Sequence, residues 1–420
     1  MPVLPAIALP AFVDCLVVGG GPAGASLSGL LARDGMSVVL IDDGAPRPGS
    51  PLETLLPSAL RALDRCGLAE AVARCSEVDR RRHGAMWDTE AIVWRDETRA
   101  GLCLRRPEFD TGLRTWAAAN GAVVLCPATA RTLPVSGSGE VTIAHAGREH
   151  TLTARTIAIA TGRRSVATRC GVAVVEEGPR TAAFAFRVES AHQATNTAMV
   201  AAAPDGWCWW IGDDRKGVRI VATVDAEAPS EPIRAVVDRV LLHASRSTGL
   251  ELPNRPEAAV RATARRARTE NGFFLVGDAA ATLDPLASQG TEKALVGAEA
   301  AALAIRTALQ HETLRPLALV HHRAWEHSLF AAHRRTTAEF YARVQRYADR
   351  PFWAKRAAVA APFSPAPVPA SLVRSQMVHE APMLLRHGRE LVVTTGFAFA
   401  GNDPIARIGR VAIAPLMAAF

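Results

Sequence analysis

Residues 14–44 read DCLVVGGGPAGASLSGLLARDGMSVVLIDDG. A short apolar run, Cys15 to Val18, meets a cluster of glycines. A stretch of helical period follows, and then a second apolar run, Val38 to Ile41. Gly19, Gly21 and Gly24 stand at G-x-G-x-x-G spacing, with Ala23 between the last two. The first glycine permits a tight turn, the second lets the backbone approach a pyrophosphate, and the third lets helix and strand pack closely. The phosphates of a dinucleotide would sit on the helix N-terminus, where free N–H groups and the helix dipole favour negative charge. Asp42, at the end of the second strand, is placed to accept hydrogen bonds from a ribose.

Further along, residues 271–305 read NGFFLVGDAAATLDPLASQGTEKALVGAEAAALAI. The apolar run Phe273 to Val276 ends in Gly277-Asp278. A loop carrying Asp284 and Pro285 follows, and Gly290 opens a long Ala-rich helix. This segment resembles the second FAD fingerprint of the glutathione-reductase-like flavoproteins. The resemblance implies that Asp278 holds the ribityl chain. It also implies that the helix after Pro285, starting at Gly290, presents N–H groups to the pyrimidine edge of the flavin, where its dipole stabilises charge on the reduced ring. Between the two fingerprints lie two more pieces of the same pattern. Arg106, Phe109 and Asp110 open a helix in LRRPEFDTGLRTWAAANGAVVL, and TIAIATG (Thr156 to Gly162) resembles the strand and glycine turn that close over the adenine side. The implied cofactor is FAD, held by Gly19, Gly21, Ala23, Gly24, Asp42, Arg106, Gly162, Asp278, Pro285 and Gly290.

The chain has 420 residues, too many for one ordinary domain, and at 49% hydrophobic it can bury a sizeable core. The expected fold class is α/β: a glutathione-reductase-like, FAD-binding Rossmann domain interleaved with an antiparallel-sheet substrate domain, plus a helical C-terminal region. The FAD domain is assigned to residues 11–80, 104–180 and 256–312. Segments 81–103 and 181–255, rich in Val, Trp, Phe and Thr with period-two alternation as in TAAFAFRV and GVRIVATV, form the substrate domain. Residues 313–420 form a C-terminal helical and cap region, with Pro362, Pro365, Pro367 and Pro369 in a linker. No second G-x-G-x-x-G occurs in the insertion, so a separate NAD domain is not expected.

The net charge is +7, carried almost wholly by arginine; the lysines are Lys216, Lys293 and Lys355. That balance does not argue for nucleic acid and suits an acidic peptide or anionic substrate better. The 7 cysteines are scattered and form no CxxC pair, so neither a disulfide framework nor a zinc site is expected, and a cytoplasmic location is the default. The N-terminal MPVLPAIALPAFV lacks a basic n-region, and no apolar run is long enough to span a membrane. His321, His322, His327 and His333 lie in a helical stretch without a carboxylate–His metal spacing. They are expected on a solvated polar face, and no metal site is assigned.

Gly206-Trp207-Cys208-Trp209-Trp210-Ile211-Gly212 resembles the G-W-x-W-x-I-P signature of flavin-dependent halogenases and their relatives, with Gly212 in place of the proline. One reading is core packing. The other is a wall of indoles, Trp207, Trp209 and Trp210, between flavin and substrate. In halogenases a lysine on the substrate side receives hypohalous acid; the matching region RRRHGAMW offers Arg82 or His83 and no lysine. Arginine stays protonated and does not substitute for it. Glu53, in LETLLPSALRALDRCGL, either approaches the isoalloxazine ring or is an N-terminal helix acid. The wording LDPLASQGTEKAL, and the later EFYARVQRYADRPFW, most resemble the halogenase-like class A monooxygenases that build tryptophylquinone cofactors.

That resemblance implies hydroxylation of an indole through a flavin C4a-hydroperoxide, with O₂ as co-substrate and NAD(P)H or an external reductant as electron source. The implied substrate is a peptidyl tryptophan of a partner protein, the small subunit of a quinohemoprotein amine dehydrogenase. Trp207, Trp209, Glu53 and Gly290 are the candidate catalytic positions. A halogenase or small-phenol hydroxylase, a reductase of isoprenoid double bonds, and a non-catalytic flavin-stabilised escort protein are the alternatives.

Overall fold

The computed structural model describes residues 9–45, 52–73, 79–80, 82–94, 102–163, 166–189, 197–212, 217–227, 233–248, 256, 258–262, 265–267, 271–287, 289–358, 378–399, 407–408 and 411–412. Strand Phe12–Val18 lies between two parallel neighbours, Val38–Ile41 on one side and the end of Arg148–Ile159 on the other. Val123–Leu125 and Phe274–Leu275 extend the parallel sheet at its two edges. Parallel strands need cover on both faces, and the sequence supplies it. Cys15 and Val17 face one core with the helices, while Val13, Leu16 and Val18 face another. The second core is completed by the antiparallel strands Ala128–Thr132 and Gly139–His145.

Helix Pro22–Arg33 follows the first strand at once, as the glycine spacing predicts. Its small residues let it sit deep: an added Cβ at Gly24 would overlap the carbonyl oxygen of Gly19, and one at Gly29 would overlap the Trp116 indole of helix Arg106–Ala119. The long Ala-rich helix Gly290–Gln310 packs beside it.

The second large sheet has the order Ala258–Ala262, Thr181–Glu189, Gly217–Asp225, Gly206–Gly212, Thr197–Ala203, Arg82–Met86, Val93–Trp94. It is antiparallel except for one pair, Thr197–Ala203 with Arg82–Met86, which run parallel. Helix Ile233–Thr248 covers one face through Val236, Val237, Val240 and Leu241. A small sheet of Leu52–Leu55, Leu102–Arg105 and Asp79–Arg80 lies at the junction.

Two C-terminal helices, Arg315–Ala342 and Pro351–Ala357, cover the other face of the second sheet. The C-terminal region is not helical throughout. Val378–His387 and Glu390–Phe399 form a hairpin, whose Leu384 and Leu391 join the core around helix Gly290–Gln310. In its described contacts the hairpin packs on helices Gly290–Gln310 and Arg315–Ala342. Among the described residues no helix is long and apolar enough to cross a membrane.

The four histidines correct the expectation of a solvated face. His322 and His333 are buried and His321 and His327 half-buried. The helix that carries them is packed on more than one side, and its imidazoles meet backbone carbonyls: His321 with Leu384, His322 with Leu275 and His327 with Ala267. His333 lies beside the Thr337 hydroxyl. No metal-binding cluster of His, Cys, Asp and Glu occurs among the described residues.

Candidate active site

Gly19 turns the chain with φ +109°, a conformation that favours glycine. Gly21 then precedes helix Pro22–Arg33 in extended conformation. Pro22 occupies the first turn, and no side chain caps the helix start. Asp42 is buried at the end of its strand; one carboxylate oxygen accepts the Gly20 N–H at 2.6 Å and the other the Gly44 N–H at 2.9 Å. Asp42 is thus tied to the glycine turn itself. Gly162, φ +66°, has open space where a Cβ would lie.

The second fingerprint meets the first directly. Gly277 (φ +65°) approaches Ala23 so closely that an added Cβ would lie 2.9 Å from the Ala23 methyl. Asp278 follows, half-buried, and accepts a hydrogen bond from Arg163 at 3.2 Å. Pro285 begins a 3-10 turn, Pro285–Ala287. Helix Gly290–Gln310 starts with an exposed glycine, open space at its Cβ position and no side-chain cap.

Glu53 holds this second helix start in place. It lies on strand Leu52–Leu55, not in a helix. One oxygen accepts the Thr291 hydroxyl at 2.7 Å, and the other pairs with Arg106 at 2.8 Å. Arg106 also reaches Asp110 at 3.2 Å. Burial works against its charge, but Glu53 and Asp110 outweigh that cost and hold the guanidinium above its ordinary range. Thr291 escaped the sequence reading, although it directly follows Gly290; only the fold reveals that its hydroxyl turns to Glu53.

On strand Gly206–Gly212 the pleat divides the tryptophans. Trp207 and Trp209 point toward the C-terminal helices and Leu286. Trp210 points the other way, into the core under helix Ile233–Thr248. Successive strand residues must alternate, so Trp210 leaves the expected wall and is a packing residue. Trp207 is buried among Trp87, Tyr341 and Trp353, its ring 6.4 Å from Trp87 and nearly perpendicular to it. Its indole N–H donates to the Tyr341 hydroxyl at 3.2 Å, and that hydroxyl lies 3.1 Å from both oxygens of Asp284. Asp284 also accepts the Leu286 N–H at 2.9 Å, which closes the Pro285 turn. Burial pushes the Asp284 carboxyl up, and burial and that carboxylate push the Tyr341 phenol well up. Tyr341 is one of 2 tyrosines in the chain, a scarcity that could have drawn attention to it. Trp209, half-buried, abuts Cys103, Ala198 and Ile211. His83 is half-buried on its strand, and the side chain of Arg82 lies outside the described residues.

Two helix starts without side-chain caps, a strand-end carboxylate and a pair of touching glycine turns fit an extended dinucleotide. Together they define an FAD-binding fold. The chain belongs to the FAD binding domain family, whose model matches residues 12–313.

Among curated proteins it is 26% identical over 331 residues to a tryptophan 2-halogenase of Chondromyces crocatus, covering 72% of this chain and 63% of that relative's length. Among solved structures it is similar to the peptidyl tryptophan dihydroxylase QhpG, essential for tryptophylquinone cofactor biogenesis. That likeness has TM-score 0.72 and 21% identity and covers 97% of this chain and 92% of the other. It is similar also to CmlS, a flavin-dependent halogenase, with TM-score 0.72, 19% identity and coverage of 97% and 87%.

Proposed function

We propose that this protein is an FAD-dependent monooxygenase that hydroxylates an indole ring, with a tryptophan of a partner protein as substrate and O₂ and NAD(P)H or another reductant as co-substrates. The observation that carries the reading is a tryptophan face beside the Pro285 turn, with both described lysines held in ion pairs. Lys293 is buried against Glu326, and Lys355, exposed on helix Pro351–Ala357, pairs with Asp225. Lys216 lies outside the described residues. Two similar proteins, the 2-halogenase and QhpG, are named for chemistry on tryptophan, which supports an indole as the guest.

Bound and reduced, FAD would supply the activation of O₂ toward an electron-rich ring. The chain's own residues do the rest. Asp42 receives the ribose, and the start of helix Pro22–Arg33 faces the pyrophosphate. The start of helix Gly290–Gln310 offsets negative charge at the pyrimidine edge. Glu53 and Arg106 fix that helix start through Thr291. Asp284, Tyr341 and Trp207 hold the Pro285 turn against the second sheet. Trp209 shapes the space for the guest and helps exclude water. Each turnover places one atom of O₂ on the ring and releases the other as water, with two electrons from the reductant.

The test is incubation of the FAD-loaded protein with a tryptophan-containing partner peptide, reductant, bromide and ¹⁸O₂. Labelled oxygen on the indole is expected. Brominated product would favour the halogenase reading, and peptide binding without any oxygen consumption would favour an escort protein.

A further inference from the structure

The oxygenase reading leaves unused a pair of charges in the interior. Lys293 and Glu326 are 2% and 3% exposed, and Lys293 Nζ lies 3.2 Å from a Glu326 oxygen. The ammonium donates to the carbonyl of Gly277 at 2.7 Å. Among the described residues Lys293 is the one ion-pair partner of Glu326, whose oxygens make no other hydrogen bond. Glu326 lies against Gly297, where an added Cβ would come within 3.2 Å of the carboxylate and 3.9 Å of the Gly277 nitrogen. His333 feels the Lys293 charge, and His322 is engaged with Leu275.

A buried ion pair is poorly explained by stability. Removing two charges from water costs several kcal/mol, and apolar replacements of both partners are often neutral or stabilising. What this pair does that an apolar pair would not is pull on one carbonyl. That carbonyl belongs to the left-handed glycine of the second fingerprint, which touches Ala23 of the first and sets the direction of Asp278.

We infer that Lys293 and Glu326 are positioning residues for the cofactor: the ammonium, held by the carboxylate, fixes the Gly277–Asp278 turn in the geometry that receives FAD. The inference rests on the FAD reading of the site. The wild-type chain must first bind FAD in a fluorescence titration, and failure there would count against that reading instead.

The test compares Lys293→Met, Glu326→Leu and the double variant. Each single variant leaves one charge buried alone and should melt lower as apoprotein; the double should recover most of the loss. FAD affinity should not recover with it, and the dissociation constant of the double should stay raised by about tenfold or more. A double variant with recovered melting and wild-type FAD affinity would overturn the inference and return the pair to core packing. Glu326→Gln, which keeps an acceptor for Lys293, should hold FAD within about threefold of wild type. Hydrogen exchange over residues 273–283, read in whichever Lys293 variant folds, should rise; unchanged protection there would equally overturn the inference.

Discussion

At the glycine turns the backbone itself is the working group, whereas on strand Gly206–Gly212 the side chains are, and the two regions differ in what a substitution does. Gly24 and Gly277 leave no room for any side chain because another backbone or a methyl already occupies it. The tryptophans are large groups whose effect depends on which face of the sheet they take. Neighbours in sequence, Trp209 and Trp210, lie in different cores.

The largest expected effect tests the backbone side. Gly24→Val would drive a branched side chain into the Gly19 carbonyl; purified protein should be colourless and bind no FAD in titration. Retention of wild-type affinity would break the claim that this contact shapes the site.

On the strand the contrast is internal. Trp210→Ala should destabilise the apoprotein by about 3–5 kcal/mol through the cavity it leaves, measured by denaturant unfolding. Trp209→Ala, half-buried, should cost less stability but alter the ratio of O₂ consumed to product formed. Equal effects of the two on that ratio would erase the distinction between the faces.

A third outcome concerns pH. Burial, with the Lys293 charge behind it, lowers the His333 imidazole to about 4, against an ordinary value of 6.5. The unfolded chain therefore binds a proton that the folded chain refuses. The stabilising contribution is complete above about pH 6.5 and is lost as pH falls toward 4, amounting to roughly 3 kcal/mol at most. Apoprotein melts from pH 7.5 to 4.5 should show this loss, and His333→Gln should flatten the slope.

The smallest effect is that of Tyr341→Phe. It strips the Trp207 N–H of its acceptor and Asp284 of a donor, at about 1–3 kcal/mol. FAD binding should survive, because the glycine turns are untouched; a loss of flavin would merge the two regions.

How much could be read beforehand follows the same division. Gly19, Gly24, Asp42 and the helix at Gly290 were legible because they answer local backbone demands that recur wherever such a turn is made. Glu53 was legible as a residue of interest but not in role, since its partners Arg106 and Thr291 are distant in sequence. The role of Tyr341 was not legible, because nothing within its own helix points to Trp207 or Asp284. The buried histidines were misread because a helix packed on several sides no longer displays a polar stripe. The C-terminal hairpin was missed although Gly388, at φ +62° in its two-residue turn, is the residue such a turn favours.

Helix Arg315–Ala342, about 42 Å long by the usual rise per residue, bears on a practical question of where the polypeptide may be cut. The family match stops at residue 313, yet this rod supplies the carboxylate for Lys293, the imidazole for Leu275 and the phenol for Asp284. A protein truncated at that boundary would keep every glycine of both fingerprints and still strand an ammonium ion without its counterion. Expression of the stretch that sequence comparison recognises, cut at residue 313, should therefore yield insoluble material.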